Sequence, residues 1–401
     1  MEKPRKGWPS AKLVGRLVLC FLISALTVAA APQHQKVVPA WSTDLRSTIG
    51  STPVPILLGN GDEESNGPVT SLHFKDDNTI VATYVVHEDK SNPKLSNRGE
   101  DQNLPLLLRA IFLDAATGKI TTTHDWPSGS SDAYIVTASG GKIVTLAGDK
   151  LTLYGIDLEK VRSVTLPPLR IGWWGAQPSF TGKNMLVETP DMSDPGKHRE
   201  LRLWVQTDPL EIIHSWDPQP FGSVSITDDE MLLSTWCDYA DCLGLELRNV
   251  SSDWKVIGPG YTEPDFVDES TFFLRGDWNQ KIPAQLVRTN GEIIFADKRP
   301  SEGGVRWGRP VVSSEGKRFV APGLKGEGGN DFLDIDGHVV LKTLLVCDLP
   351  VVKQPQVLDV NAPAIKDVMQ FALSPDGSRL AVLNKEIMYV FDLPAKEGLI
   401  R

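Results

Sequence analysis

Helical periodicity is nearly missing from this 401-residue chain: few windows place apolar residues at i, i+3, i+4 and i+7. Without it, neither a helix bundle nor a helix-covered parallel sheet can be assembled. Catalytic signatures are missing too. The chain has no G-x-S-x-G elbow, no H-E-x-x-H pair and no G-x-x-x-x-G-K-[ST] loop. Its seven histidines (34, 73, 87, 124, 198, 214 and 338) are dispersed, so no metal-ligand spacing emerges. Basic residues are outnumbered, with 41 Lys and Arg against 51 Asp and Glu for a formal charge of −10, which argues against a nucleic-acid partner.

Long apolar runs are lacking except at the start. Lys3, Arg5, Lys6, Lys12 and Arg16 form a basic region ahead of the apolar run from Leu17 to Ala31, which ends in small residues. That arrangement predicts a cleaved signal peptide over residues 1–30. A permanent anchor is the alternative, but the run falls short of the ~20 apolar residues a spanning helix needs. Removing five basic residues and one acidic residue shifts the formal charge to about −14. The expected product is a secreted or periplasmic protein of residues 31–401, with no membrane association after cleavage.

Only four cysteines occur, one of them in the leader. Export exposes the rest to oxidising conditions, so Cys237 and Cys242 in "CDYADC" are expected to close a small disulfide loop. Cys347, within "LLVCDL", reads as a buried free thiol.

What the chain does have is a repeat. Period-two apolar strands flank a short turn in "LHFKDDNTIVATY" (72–84), "YIVTASGGKIVTL" (134–146), "PSFTGKNMLVET" (178–189) and "VSITDDEMLLSTW" (224–236). "PDFVDESTFFLRG" (264–276), "PVVSSEGKRFVAP" (310–322) and "FALSPDGSRLAVL" (371–383) bring the total to seven. The shortest spacing between the turns is about that of a four-stranded blade. A third strand follows most hairpins, as in "RAIFLDAATGK" and "IMYVFDLP", and a fourth carries an aromatic, as in "KITTTHDWP" and "LEIIHSWDP". The pattern resembles a seven-bladed β-propeller of the WD-repeat, YVTN or quinoprotein-like type. The resemblance implies an all-β fold of four-stranded antiparallel blades, and two stacked β-sandwiches are the competing arrangement. "KVVPAWS" (36–42) has the fourth-strand look, so the N-terminal strand is expected to complete the last blade and close the ring.

Long connections between second and third strands are expected at 87–105, 190–200, 237–242, 276–283 and 323–338. Two blade-linking stretches, "IGWWGAQP" (171–178) and "VRWGRP" (305–310), are rich in Trp and Arg. In propellers these two classes of loop share a face. A binding site is therefore expected from Trp173, Trp174, Trp236, Asp238, Tyr239, Trp278, Arg306, Trp307 and Arg309, residue types common at binding hot spots. The alternative is that the tryptophans wedge between blades and the arginines pair with local carboxylates. His124 and His214, at equivalent strand positions, read as structural. Asp331, Asp334 and Asp336 could hold Ca²⁺, but an Asp-Gly turn explains them more simply, and no metal is assigned. "LDAATGK" (113–119) resembles part of the tryptophan-docking repeat of quinoprotein dehydrogenases, whose Trp lies three residues on, where this chain has Thr122. No cofactor is assigned.

Together these features predict an exported, monomeric binding or interaction module for a protein or glycan ligand. The alternative is a propeller enzyme, a lactonase-like hydrolase or quinoprotein-type oxidoreductase, with its site at the channel mouth. A structural domain of an envelope complex is a third reading.

Overall fold

The computed structural model describes residues 35–50, 70–88, 105–167, 175–191, 199–220, 224–238, 241–249, 255–258, 264–276, 283–297, 305–326, 339–350, 355–362, 365–366 and 369–395. Of these, 190–191, 199–200, 217–220, 235–238, 241–244 and 255–258 are described by backbone alone. The blades belong to one compact unit that begins at Lys36.

Strands dominate because Val, Ile, Leu and Phe recur at alternate positions between Gly, Asp and Asn turns. They assemble into seven antiparallel sheets arranged as blades in a ring. Blade 1 comprises Thr70–Asp76, Thr79–His87, Leu106–Asp114 and Ile120–Pro127, from the channel outwards. Blades 2 to 5 begin at Tyr134, Gly175, Val224 and Pro264 and repeat this order. In blade 6 the innermost strand is split into Val305–Trp307 and Val311–Val312, both paired with Arg318–Gly326. Blade 7 is built from Met369–Leu373, Arg379–Asn384, Ile387–Asp392 and, from the other end of the chain, Pro39–Asp44. The chain is a seven-bladed β-propeller.

Each blade lies between two others, so its second strand must be apolar on both faces. Thr79–His87 is accordingly buried at every position but its ends. The outermost strand of blade 7 has one face in water, and exposure alternates along Pro39–Asp44. The buried apolar side chains form clusters between successive blades rather than one central core. One joins Ile135 and Ile143 to Val81 and Phe112, another joins Phe266 and Phe272 to Leu233, and a third joins Phe319 to Phe273.

Ring closure follows the expected route with one difference. Trp41 stands opposite Val390 and Asp44 opposite Ile387, completing blade 7. Val37 instead accepts a hydrogen bond from Asn361 N (2.8 Å) at the outer edge of blade 6. The stretch 36–42 therefore serves two blades, because Pro39 has no N–H to continue a ladder and the register shifts between Pro39 and Trp41. Closure is sealed against blade 1. Trp41 Nε1 donates to Ala115 O (3.1 Å), Thr43 Oγ1 donates to Gly118 O (2.9 Å), and Tyr84 Oη donates to Lys385 O (2.9 Å). Beyond the strand, the one-turn helix Arg46–Ile49 buries Leu45 and Ile49 beside blade 1 and ends at Gly50 with φ +78°.

Inner strands are also stitched to one another. Ser71 Oγ accepts from Ile135 N (3.0 Å), and Ser225 Oγ, at the corresponding place further round the ring, accepts from Phe266 N (2.8 Å). A short hydroxyl thus satisfies an inner-strand N–H that has no ladder partner on the channel side.

Candidate functional site

The alternation of strands gives the ring two unlike rims. On one lie the turns between first and second strands, and these are short and laced together. Asp376 N donates to Asp77 Oδ1 (3.0 Å), Glu315 N donates to Pro375 O (3.3 Å), and Ser179 Oγ donates to Asp228. Glu269 accepts from both Asp228 N and Asp229 N (3.2 Å each). Burial pushes the Glu269 carboxyl above its usual range, and the nearby Asp229 and Asp228 charges add to the rise. The turn residues that mark the repeat in the sequence are therefore its inter-blade fasteners, and the Pro-Asp-Gly of the last hairpin takes part.

The other rim receives the connections from second to third strands and from blade to blade. The first of these enters at His87 and leaves at Leu106. Trp173, Trp174, Tyr239 and Trp278 fall in this class of connection and lie outside the described residues. So does the Asp331, Asp334, Asp336 group. Trp236 and Asp238 lie on the strand Met231–Asp238, where they are described by backbone alone.

Several expected loops are partly strand. Cys237 stands opposite Cys242 and Asp238 opposite Asp241, so "CDYADC" is the tip of a ladder with two residues between its last pair. Likewise Asp191 pairs with Arg199 and Gly326 with Val339. No disulfide is present among the described residues, which exclude the side chains of Cys237 and Cys242. Cys347 is a buried free thiol, pushed up to about 12 by burial.

The stretch 305–310 is half strand. Val305–Trp307 is inner strand, and Trp307 is 7% exposed, with Nε1 donating to Asp297 Oδ2 (3.0 Å) of blade 5. The indole fits because residue 323 lacks a side chain: a Cβ there would lie 3.0 Å from Trp307 Cζ3. Arg306 is exposed, and Arg309 reaches back to blade 5. There the buried Asp265 is shared: Oδ2 accepts from Arg275 Nε and Nη2 (3.0 and 2.9 Å), and Oδ1 accepts from Arg309 Nε (2.9 Å). Asp265 is the second residue of its inner strand and Arg275 follows the end of the neighbouring one, which puts the cluster at the loop-bearing rim. Trp307 thus wedges between blades, while Arg309 keeps a side chain 52% exposed.

Buried arginines are the residues that sequence reasoning missed. Arg109 donates from Nε and Nη2 to Asp125 (2.8 and 2.6 Å) and from Nη1 to Ile49 O (2.7 Å). Arg318 pairs with Asp348 and donates from Nη1 to Gly377 O (3.1 Å) and Pro394 O (2.8 Å), joining blade 6 to blade 7. The signal in the sequence is a cation inside an apolar run, as in "LLLRAIFLD", since such a charge is tolerated only when paired. His124 packs at a tilt against Trp126 and His214 edge-on against Trp216, with ring centroids 4.7 and 4.5 Å apart and interplanar angles of 58° and 66°. "DAATGK" is turn chemistry: Asp114 Oδ1 accepts from Ala116 N, Thr117 N and Thr117 Oγ1 (3.1, 2.8 and 2.7 Å). The tryptophan resting on this turn is Trp41, from the closing strand, rather than a residue downstream. Among the described residues no group of three or more His, Cys, Asp or Glu is arranged to hold a metal.

No family model and no curated protein matches the chain. Solved propellers do match in shape. The C-terminal WD40 domain of Sif2 is 11% identical, with 90% of this chain and 99% of that one covered at a TM-score of 0.43. The WD40 domain of Neurospora crassa Pan2 is 11% identical over 91% and 97%, at 0.47. Pyrococcus horikoshii acylaminoacyl peptidase is 11% identical over 83% of this chain and 53% of that one, at 0.52. At such identity the likeness is one of fold, and the fold serves interaction proteins and enzymes alike.

Proposed function

We propose that the protein is an exported interaction module that engages a protein ligand through its loop-bearing rim. The observation that carries this reading is the division of labour between the rims. One is consumed by inter-blade fasteners at Asp77, Asp228, Glu269, Glu315 and Asp376. The other receives the connections from second to third strands and from blade to blade, and binding residues concentrate on loops held by a rigid scaffold. The basic and apolar start of the chain supports export as far as residue 30. In an oxidising compartment, Cys237 and Cys242, cross-strand partners at a ladder tip, would be joined and would stiffen the segment carrying Asp238 and Tyr239.

Photo-crosslinking amino acids at positions 174, 239 and 278 should capture a partner, and the same label at Asn78, Ser270 and Ser378 on the laced rim should not. Capture from the laced rim alone would overturn the assignment.

A further inference from the structure

We propose that Arg309 is a recognition residue for a carboxylate side chain of an acidic partner polypeptide. This rests on the reading of the loop-bearing rim as the binding face. Asp265 is 4% exposed and takes Arg275 in a two-point grip through one oxygen, leaving the other for Arg309 Nε. That single bond pins the Arg309 guanidinium at its inner edge. Among the described residues, its Nη1 and Nη2 groups donate to no acceptor, and the side chain is 52% exposed. A guanidinium held this way presents its outer N–H groups as a pre-set fork, the geometry that receives a carboxylate through two parallel hydrogen bonds. Part of the cost of ordering a long side chain is met before any ligand arrives.

The rest of the molecule narrows the ligand class. A formal charge of −10 repels long polyanions, which argues against nucleic acid but leaves a short acidic segment steered to a local cation. Among the described residues, the nearest tryptophan in sequence, Trp307, is buried and hydrogen-bonded to Asp297, so its face is not offered to a sugar. An Asp- or Glu-bearing polypeptide is the class that fits.

The test is the binding of a fluorescent oligo-glutamate peptide to the full chain, measured by anisotropy. Wild type should bind, with affinity falling as salt rises, and oligo-glutamine should not bind. Arg309→Lys keeps the charge and loses the fork, so affinity should drop about tenfold or more. Arg162→Gln, an exposed cation on blade 2, should change nothing. Thermal midpoints of both variants establish that they are folded. The inference is overturned if wild type ignores oligo-glutamate, if Arg309→Lys binds as wild type does, or if Arg162→Gln loses as much. Binding of an oligouronate in place of the peptide, lost in Arg309→Lys, overturns the polypeptide assignment. If crosslinking from positions 174, 239 and 278 succeeds while oligo-glutamate fails, the rim assignment stands and the carboxylate inference alone falls.

Discussion

Replacing Gly118 with Ala should open the closing seam. Gly118 has φ +70°, and a Cβ there would lie 2.5 Å from Trp41 Cε3, 2.8 Å from Trp41 Cδ2 and 2.7 Å from Thr43 Oγ1. Two costs add. A side chain in the left-handed region costs about 1–2 kcal/mol, and an extra methyl in a filled contact typically costs about 1–3 kcal/mol. The indole cannot slide away cheaply, because Nε1 is held by Ala115 O and Trp41 is fixed in the ladder opposite Val390. The expected loss is therefore about 2–5 kcal/mol. Gly140 supplies the control: its φ is +58° and a Cβ would meet nothing within 4 Å, so Gly140→Ala should cost only the backbone part. A double-mutant cycle isolates the contact. In a Trp41→Ala background the indole is gone and only the Thr43 Oγ1 contact remains, so Gly118→Ala should fall toward the Gly140→Ala value, a coupling of about 1–3 kcal/mol. Urea melts of wild type, the two single variants and the double variant measure it. If Gly118→Ala costs the same with and without Trp41, the seam is not what this glycine serves.

Two further outcomes are expected. His73 Nε2 lies 3.0 Å from Ile135 O, and burial lowers the ring from 6.5 to about 4. The unfolded chain accepts a proton there that the folded one refuses, so stability is full above pH 6.5 and is lost as pH falls through about 4. The loss should be about 1–3 kcal/mol, discounted for the ring's partial exposure. His73→Gln should flatten urea-melt stability across that window, and an unchanged slope would count against it. Alkylation mapped by mass spectrometry reports on the thiols. Native protein recovered after export should resist alkylation, urea should expose Cys347 alone, and urea with reductant should expose Cys237 and Cys242 as well. Finding Cys237 and Cys242 both free after export would remove the proposed bond.

The blades were legible because a blade is local. "FALSPDGSRLAVL" contains both strands and the turn that joins them, and such stretches became the inner hairpins of the ring. The closing strand was legible through its aromatic, Trp41, but its division at Pro39 depends on two blades that no local pattern relates. Trp307 was harder. An indole beside an arginine and a glycine reads as surface, and only the missing side chain at Gly323, on the adjacent strand, turns that position into a slot. The Arg275–Asp265–Arg309 cluster was half legible: Arg309 was singled out, but its fixing carboxylate lies 44 residues earlier. Fasteners such as Glu269 escaped notice because a turn acid is ordinary, and its partners, the Asp228 and Asp229 amides, sit on another blade.

Completing blade 7 from both ends of the chain sets a condition on synthesis. Pro39–Asp44 is made long before its partner, Ile387–Asp392, with the other six blades in between. Until Ile387–Asp392 is made, that strand has no native edge to pair with, the circumstance in which exposed strands find the wrong neighbours. A nascent chain halted before Ile387 can build blades but cannot lock the circle. Arrival of blade 7 is thereby read out by the fold itself, and chains halted before it should be recognisable to proteases by the strand they leave unclaimed.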